Sequence, residues 1–166
     1  MTNILLLEDL PEIRAWLSSL VMQVFPDAQI AAVIELCQGI LSRWPIPQNR
    51  IVAHSDIAPD RKEDPGELFP WKRLSEHGIG LWPEPQRPEP WMMHGAAMGD
   101  AGLTVDNFRQ SLATIGYKIA RVGPYDEPMA AVVRAFQRRW RPERITGEGD
   151  TDTIVLAHSV SLLAAQ

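Results

Sequence analysis

Proline sets where this chain can be regular, because the ring fixes φ, removes an amide hydrogen and is tolerated in a helix only at its first turn. There are 14 prolines among 166 residues, and they cluster. Pro26 stops one periodic segment, and Trp44-Pro45-Ile46-Pro47 ends the next. Pro59, Pro65 and Pro70, with Asp60 and Gly66, leave the stretch after His54 without regular structure until about Trp71, so any chemistry there sits on a loop. The text from Leu81 to Gly102, LWPEPQRPEPWMMHGAAMGDAG, has the composition of a linker.

Between these breaks the apolar residues are periodic. NILLL at residues 3–7 is a run of strand length, and Pro11 opens a helix to about Val24 with Ile13, Trp16, Leu17, Leu20, Val21 and Val24 on one face. A second helix starts near Asp27, as N-cap or first-turn acid, and aligns Ile30, Val33, Ile34, Cys37, Ile40 and Leu41. Arg50 to Ala53 is a short extended run leading into His54. Residues 71–77 suit one or two helical turns ended by Gly78. Past the proline stretch, Val105–Ile115, Glu127–Trp140 and Thr151–Ala165 read as three short helices, with Leu112, Ile115, Val132, Val133 and Phe136 as core and Asp126 as a cap.

Composition removes some classes of function. A formal charge of −5 gives no general attraction to nucleic acid or an anionic membrane. Cys37 is the lone cysteine, so no internal disulfide forms, and its place in an apolar helical pattern predicts a buried thiol. The first residues show neither a signal peptide nor a membrane span, and the expected location is cytoplasmic.

One loop carries chemistry. A hydrolytic zinc centre needs three protein ligands and an open position for water. His54 and Asp64, within HSDIAPDRKED, are suitable ligand types, and Lys62 between them supplies a cation able to stabilise an oxyanion. On spacing alone a His and an Asp ten residues apart are more often a chance pair, since such pairs occur in many loops.

The longer stretch PDAQIAAVIELCQGILSRWPIPQNRIVAHSDIAPDRKEDPGELFPWKRLSEHGIGLWP, residues 26–83, resembles the zinc-dependent, T7-lysozyme-like N-acetylmuramoyl-L-alanine amidases. The resemblance implies His54 and Asp64 as zinc ligands and Lys62 as the catalytic cation. It also implies a first zinc-binding His on an early strand and a Glu acting as base on a later one, and neither region is recognisable. Asp60 stands where the family usually has Gly. Glu8, at the end of NILLL, is a candidate replacement for the base, and His77, His94 and His158 are the other histidines available as a third ligand.

Residues 1–25 instead resemble the opening strand and helix of a response-regulator receiver, with Glu8 and Asp9 at the place of its magnesium-binding acids and the phosphate-accepting Asp absent. The two resemblances meet around Phe25 to Ala32, as in a splice. Residues 103–165 resemble the three-helix peptidoglycan-binding domain of wall hydrolases through LATIGY, GPYDEPMAAVVRAFQRRW and GEGDTDTIVLAHS. Exposed Tyr117 and Tyr125 would stack on sugar or peptide there, and Arg138, with Arg139 and Arg141, would meet stem-peptide carboxylates.

The expectation is therefore an α/β fold, a truncated amidase-like α/β unit followed by a small three-helix domain. Its divisions are a receiver-like fragment (1–25), a partial amidase domain (26–86), a linker (87–102) and a helical peptidoglycan-binding domain (103–166). The expected function is zinc-dependent hydrolysis of the N-acetylmuramic acid–L-alanine amide, impaired by the incomplete site. The alternative is a non-catalytic peptidoglycan-binding protein carrying a remnant amidase scaffold. Peptidoglycan or muropeptide fragments are the expected partners. A regulatory role for the receiver-like start ranks last, and the oligomeric state is open.

Overall fold

The structure, a computed structural model, describes residues 26–166. The NILLL strand, the helix from Pro11 and Glu8 lie outside the described residues. Contacts divide the chain after Pro45, and each part is taken by itself.

In the first part the described element is α1, Pro26–Arg43, with Asp27 in its first turn and Arg43 in its last, signs that suit the helix dipole. Of the expected stripe, Ile34 is buried, Ile30, Val33, Cys37 and Leu41 are half-buried and Ile40 is exposed, so the Cys37 thiol is half-buried rather than buried as expected. The second part, residues 46–166, holds α2 (His54–Ile57), α3 (Trp71–Ser75), α4 (Leu103–Ile115), α5 (Glu127–Trp140) and α6 (Thr151–Ala164), with 3-10 turns at Gln48–Arg50 and Pro90–Met92.

The three long helices lie where the periodicity places them. Leu112, Val132, Val133 and Phe136 are buried in the core they share, with Ile115 packed at its margin. Asp126 caps α5 by accepting the Met129 amide at 3.0 Å, and Asp150 caps α6 by accepting that of Thr153 at 2.9 Å. α3 ends as Gly78 predicts: it takes a positive φ, and the Gly78 and Ile79 amides reach back to Ser75 and Leu74.

Two features shape this core beyond the helices. The side chain of Gln137, fully buried, accepts the Thr146 and Gly147 amides at 2.9 Å each and donates to the Glu148 carbonyl at 2.8 Å. One amide thus satisfies the turn before α6. Gly149 then runs against Phe108, where an added Cβ would lie 2.6 Å from the ring. The proline stretch is not all exterior: Met92 is fully buried, and Ala96 exchanges amide hydrogen bonds with Gly149 at 2.7 and 2.9 Å.

The α/β expectation is corrected. Among the described residues there is no strand, only that single Ala96–Gly149 bridge between helices and loops. The extended run before His54 shows why. The Ile51 carbonyl is taken by Arg139 Nη2 at 3.0 Å and the Ala53 amide by Asp56 Oδ2 at 2.9 Å. Side chains satisfy a backbone that a neighbouring strand would otherwise pair.

Candidate functional site

The loop from Ala53 to Gly66 is built by local hydrogen bonds. Ala53 stands at the N-cap position of the short α2 without a side-chain cap, and Asp56, at the third position of the helix, accepts the Ala53 amide through Oδ2. The Ala58 amide closes onto the His54 carbonyl at 2.9 Å, and the Lys62 amide onto that of Ala58 at 2.9 Å. The Ser55 amide then donates to the Asp64 carbonyl at 3.2 Å, which folds the far end of the loop back beside His54. No non-glycine residue takes a positive φ among the described residues, so Asp60 turns the loop without strain.

This fold-back brings together two of the candidate residues. His54 Nδ1 and Asp64 Oδ2 are in direct hydrogen-bond contact, and both side chains are mostly exposed. The hydrogen bond from His54 holds the Asp64 carboxyl below the usual carboxylate range, with the Lys62 charge adding in the same direction. Lys62 is exposed. An imidazole nitrogen beside a carboxylate oxygen is a donor pair suited to zinc. Among the described residues no group of three His, Cys, Asp or Glu side chains converges on one point. His77 and His94 are exposed, while His158 sits edge-on to Trp91 with Nε2 3.7 Å from Glu89. Glu8 is outside the described residues.

Beneath the exposed pair, two residues from His54, lies a buried ionic cluster. Asp56 Oδ2 accepts from Arg139 Nη1 at 2.6 Å, and Asp56 Oδ1 accepts from the Tyr117 hydroxyl at 2.7 Å. The Arg139 guanidinium is sandwiched by the Trp71 and Trp140 rings, 4.0 and 4.4 Å from their centroids. Every oxygen of Asp56 is thereby engaged, which is the condition under which a buried carboxylate is tolerated. The C-terminal helices are thus bonded directly to the base of the His54 loop.

The expected exposed binding set is corrected by the same contacts. Tyr117 is 5% exposed and Tyr125 1% exposed, the latter donating to the Gly147 carbonyl at 2.7 Å. Burial pushes both hydroxyls above the usual phenol range. Neither ring is a stacking platform; both fill the core and satisfy internal acceptors. Arg138 is 12% exposed at its side chain and lies 3.1 Å from Glu63 and 4.0 Å from Glu67. Arg139 is buried, and Arg141 is engaged by Asp150 and Asp152. These arginines are matched to the chain's own carboxylates. Asp56 is the residue that sequence reasoning passed over; its one local signal was an acid three positions after a helix start.

Residues 16–67 match the family model described as N-acetylmuramoyl-L-alanine amidase, a span that includes His54, Lys62 and Asp64. The chain is similar to N-acetylmuramoyl-L-alanine amidases. The match takes in residues 16–25, within the stretch expected to be receiver-like. The Escherichia coli amidase AmiD is 36% identical over 152 residues, 90% of this chain and 54% of that protein. A span of that share necessarily joins the amidase loop to most of the C-terminal helices.

Solved structures agree. AmiD in complex with its substrate anhydro-N-acetylmuramic acid-L-Ala-D-gamma-Glu-L-Lys superposes with a TM-score of 0.66 at 36% identity, covering 81% of this chain and 51% of AmiD. AmpDh3 from Pseudomonas aeruginosa superposes with a TM-score of 0.67 at 30% identity, covering 84% of this chain and 54% of that one. The chain spans about half the length of these proteins.

Proposed function

We propose that this chain takes part in hydrolysis of the amide between N-acetylmuramic acid and L-alanine, with His54 and Asp64 as two zinc ligands and Lys62 facing the oxyanion. The observation that carries the reading is the exposed His54–Asp64 pair, formed by a loop fold-back within the stretch that matches the amidase family. Zinc, when bound, supplies a Lewis acid and lowers the pKa of water to near 7. His54 would hold it as the neutral imidazole and Asp64 as the carboxylate. Lys62, exposed on the same loop, offers its ammonium to a carbonyl oxygen gaining charge.

Two ligands among the described residues make a weak centre, and the expected turnover is reduced. Muropeptides are the expected ligands, because the related AmiD is solved with such a substrate and a second AmpDh3 structure holds anhydromuramic pentapeptide. The C-terminal helices serve as scaffold in this reading, since Tyr117, Tyr125 and Arg138 are engaged internally. Glu8 as base remains part of the proposal.

Zinc titration and hydrolysis of anhydro-N-acetylmuramyl tripeptide test it together. The expected result is zinc binding weaker than in AmiD, lost in His54→Ala and in Asp64→Ala, and slow amide cleavage whose kcat falls in Lys62→Ala. Zinc binding that survives both ligand substitutions overturns the assignment. Muropeptide binding with no zinc uptake and no cleavage supports the alternative, a non-catalytic peptidoglycan-binding protein on an amidase scaffold.

A further inference from the structure

Arg138 and Arg139 stand side by side on α5, yet their guanidiniums run to different parts of the His54 loop. Consecutive residues of an α-helix point about 100° apart around its axis, so one of the two turns into the core and the other to its margin. Arg139 is buried and bonded to Asp56, two positions after His54. Arg138 lies with Nη2 3.1 Å from Glu63 Oε1 and Nε 4.0 Å from Glu67 Oε2. Glu63 and Glu67 flank a turn that the Gly66 amide closes on the Glu63 carbonyl at 2.9 Å, and Asp64 is inside that turn. One helix thus holds the arm that begins at His54 through Arg139, and the arm that carries Asp64 through Arg138.

The arms need such a hold. Both side chains of the His54–Asp64 pair are mostly exposed, so packing fixes neither. The backbone bond that joins the arms runs from the Ser55 amide to the Asp64 carbonyl and is 3.2 Å long. Metal ligands keep their geometry when residues outside the ligand set support them. The planar fork of an arginine can serve two carboxylates from one side chain, which the point charge of a lysine cannot do in a fixed direction.

We propose that Arg138 is a positioning residue of the His54–Asp64 pair: by tying Glu63 and Glu67 to α5, it holds the Asp64 arm against the His54 arm that Arg139 anchors. The inference rests on the proposed function for what the pair binds, and on these contacts for how the pair is held. Glu63 and Glu67 are exposed, so the pairing adds little to global stability and its effect is local.

Hydrogen exchange followed by NMR on the zinc-free full chain reads the hold directly. In Arg138→Gln the Ser55 amide should exchange about two- to fivefold faster, the scale of one partly exposed ion pair, while the Ala53 amide, bonded to Asp56 Oδ2, keeps the parent's rate. Glu63→Gln combined with Glu67→Gln should have the same effect, and adding Arg138→Gln to that pair should change nothing further. Zinc titration gives a second readout with a sign of its own. Removing a cation favours zinc by Coulomb's law alone, whereas loss of positioning disfavours it, so Arg138→Gln should raise the zinc Kd about two- to fivefold. An unchanged Ser55 rate, equal acceleration at Ala53 and Ser55, further loosening on adding Arg138→Gln to the glutamate pair, or zinc binding in Arg138→Gln as tight as the parent's or tighter overturns the proposal. A parent that takes up no zinc overturns the ligand assignment instead, and the Ser55 rate then still decides whether Arg138 holds the pair.

Discussion

Arg139 is the side chain on which most depends. It is 4% exposed, and its removal leaves Asp56, 7% exposed, as an uncompensated buried carboxylate. Breaking a buried pair by deleting one partner costs about 3–5 kcal/mol. Urea unfolding of Arg139→Met should show a loss of that size, and a loss below about 1 kcal/mol would mean that Tyr117 and the Ala53 amide suffice for Asp56. Tyr117→Phe removes a single bond and should cost about 1–2 kcal/mol by the same measurement. Gly149 is constrained for a different reason. A methyl group there meets the Phe108 ring at 2.6 Å, a side chain that is itself fully buried and has no room to retreat. Gly149→Ala should lower stability by about 1–3 kcal/mol through overpacking. A thermal midpoint equal to the parent's would show that the turn before α6 adapts.

At the scale of elements, α6 owes its start to one carboxylate with several partners. Partial burial pushes the Asp150 carboxyl up, yet bonds from Thr153 and Arg141 together outweigh it and hold the group below its usual 3.8. Arg144 lies 3.0 Å away on the second oxygen. A depressed folded value means that the contribution is complete above 3.8 and disappears as pH falls through the folded value. Asp150→Asn keeps the capping oxygen but loses the charge. The variant should therefore be less stable at neutral pH, and the difference from the parent should shrink in acid, followed by chemical denaturation from pH about 6 to about 2.5. A gap that is constant with pH would assign Asp150 a capping role without an ionic one. Helix existence was legible at this scale because capping and periodicity act within a few residues. The periodicity of α4, α5 and α6, the acid at Asp126 and the glycine at Gly78 each specify a boundary locally. The expected α/β character was not legible, since a strand exists only where another strand supplies its partner. Ile51 and Ala53 found side-chain partners instead.

At the scale of the whole molecule, the His54 loop and the C-terminal helices share one buried cluster, with Tyr117 and Arg139 lying 61 and 83 residues beyond Asp56. A chain ended after Gly102 would expose Asp56, Trp71 and Met92 to water while removing their partners. Its remaining residues from Ile46 onward should unfold without cooperativity, and the Ala53 and Asp56 amides should lose slow hydrogen exchange, read by mass spectrometry. Retained protection at those amides would make the loop independent of the helices. The sequence by itself determined the three C-terminal helices, the cap at Asp126 and the proline breaks between elements, which rest on short-range spacing and residue chemistry, while the His54, Lys62 and Asp64 set came from the family resemblance. Only the tertiary structure decided that His54 and Asp64 meet, and that Tyr117, Tyr125 and Arg138 face inward to partners of the chain's own. Burial and pairing of an aromatic or a cation depend on what the rest of the chain brings against it, and that contact has no signature in the residue's own neighbourhood.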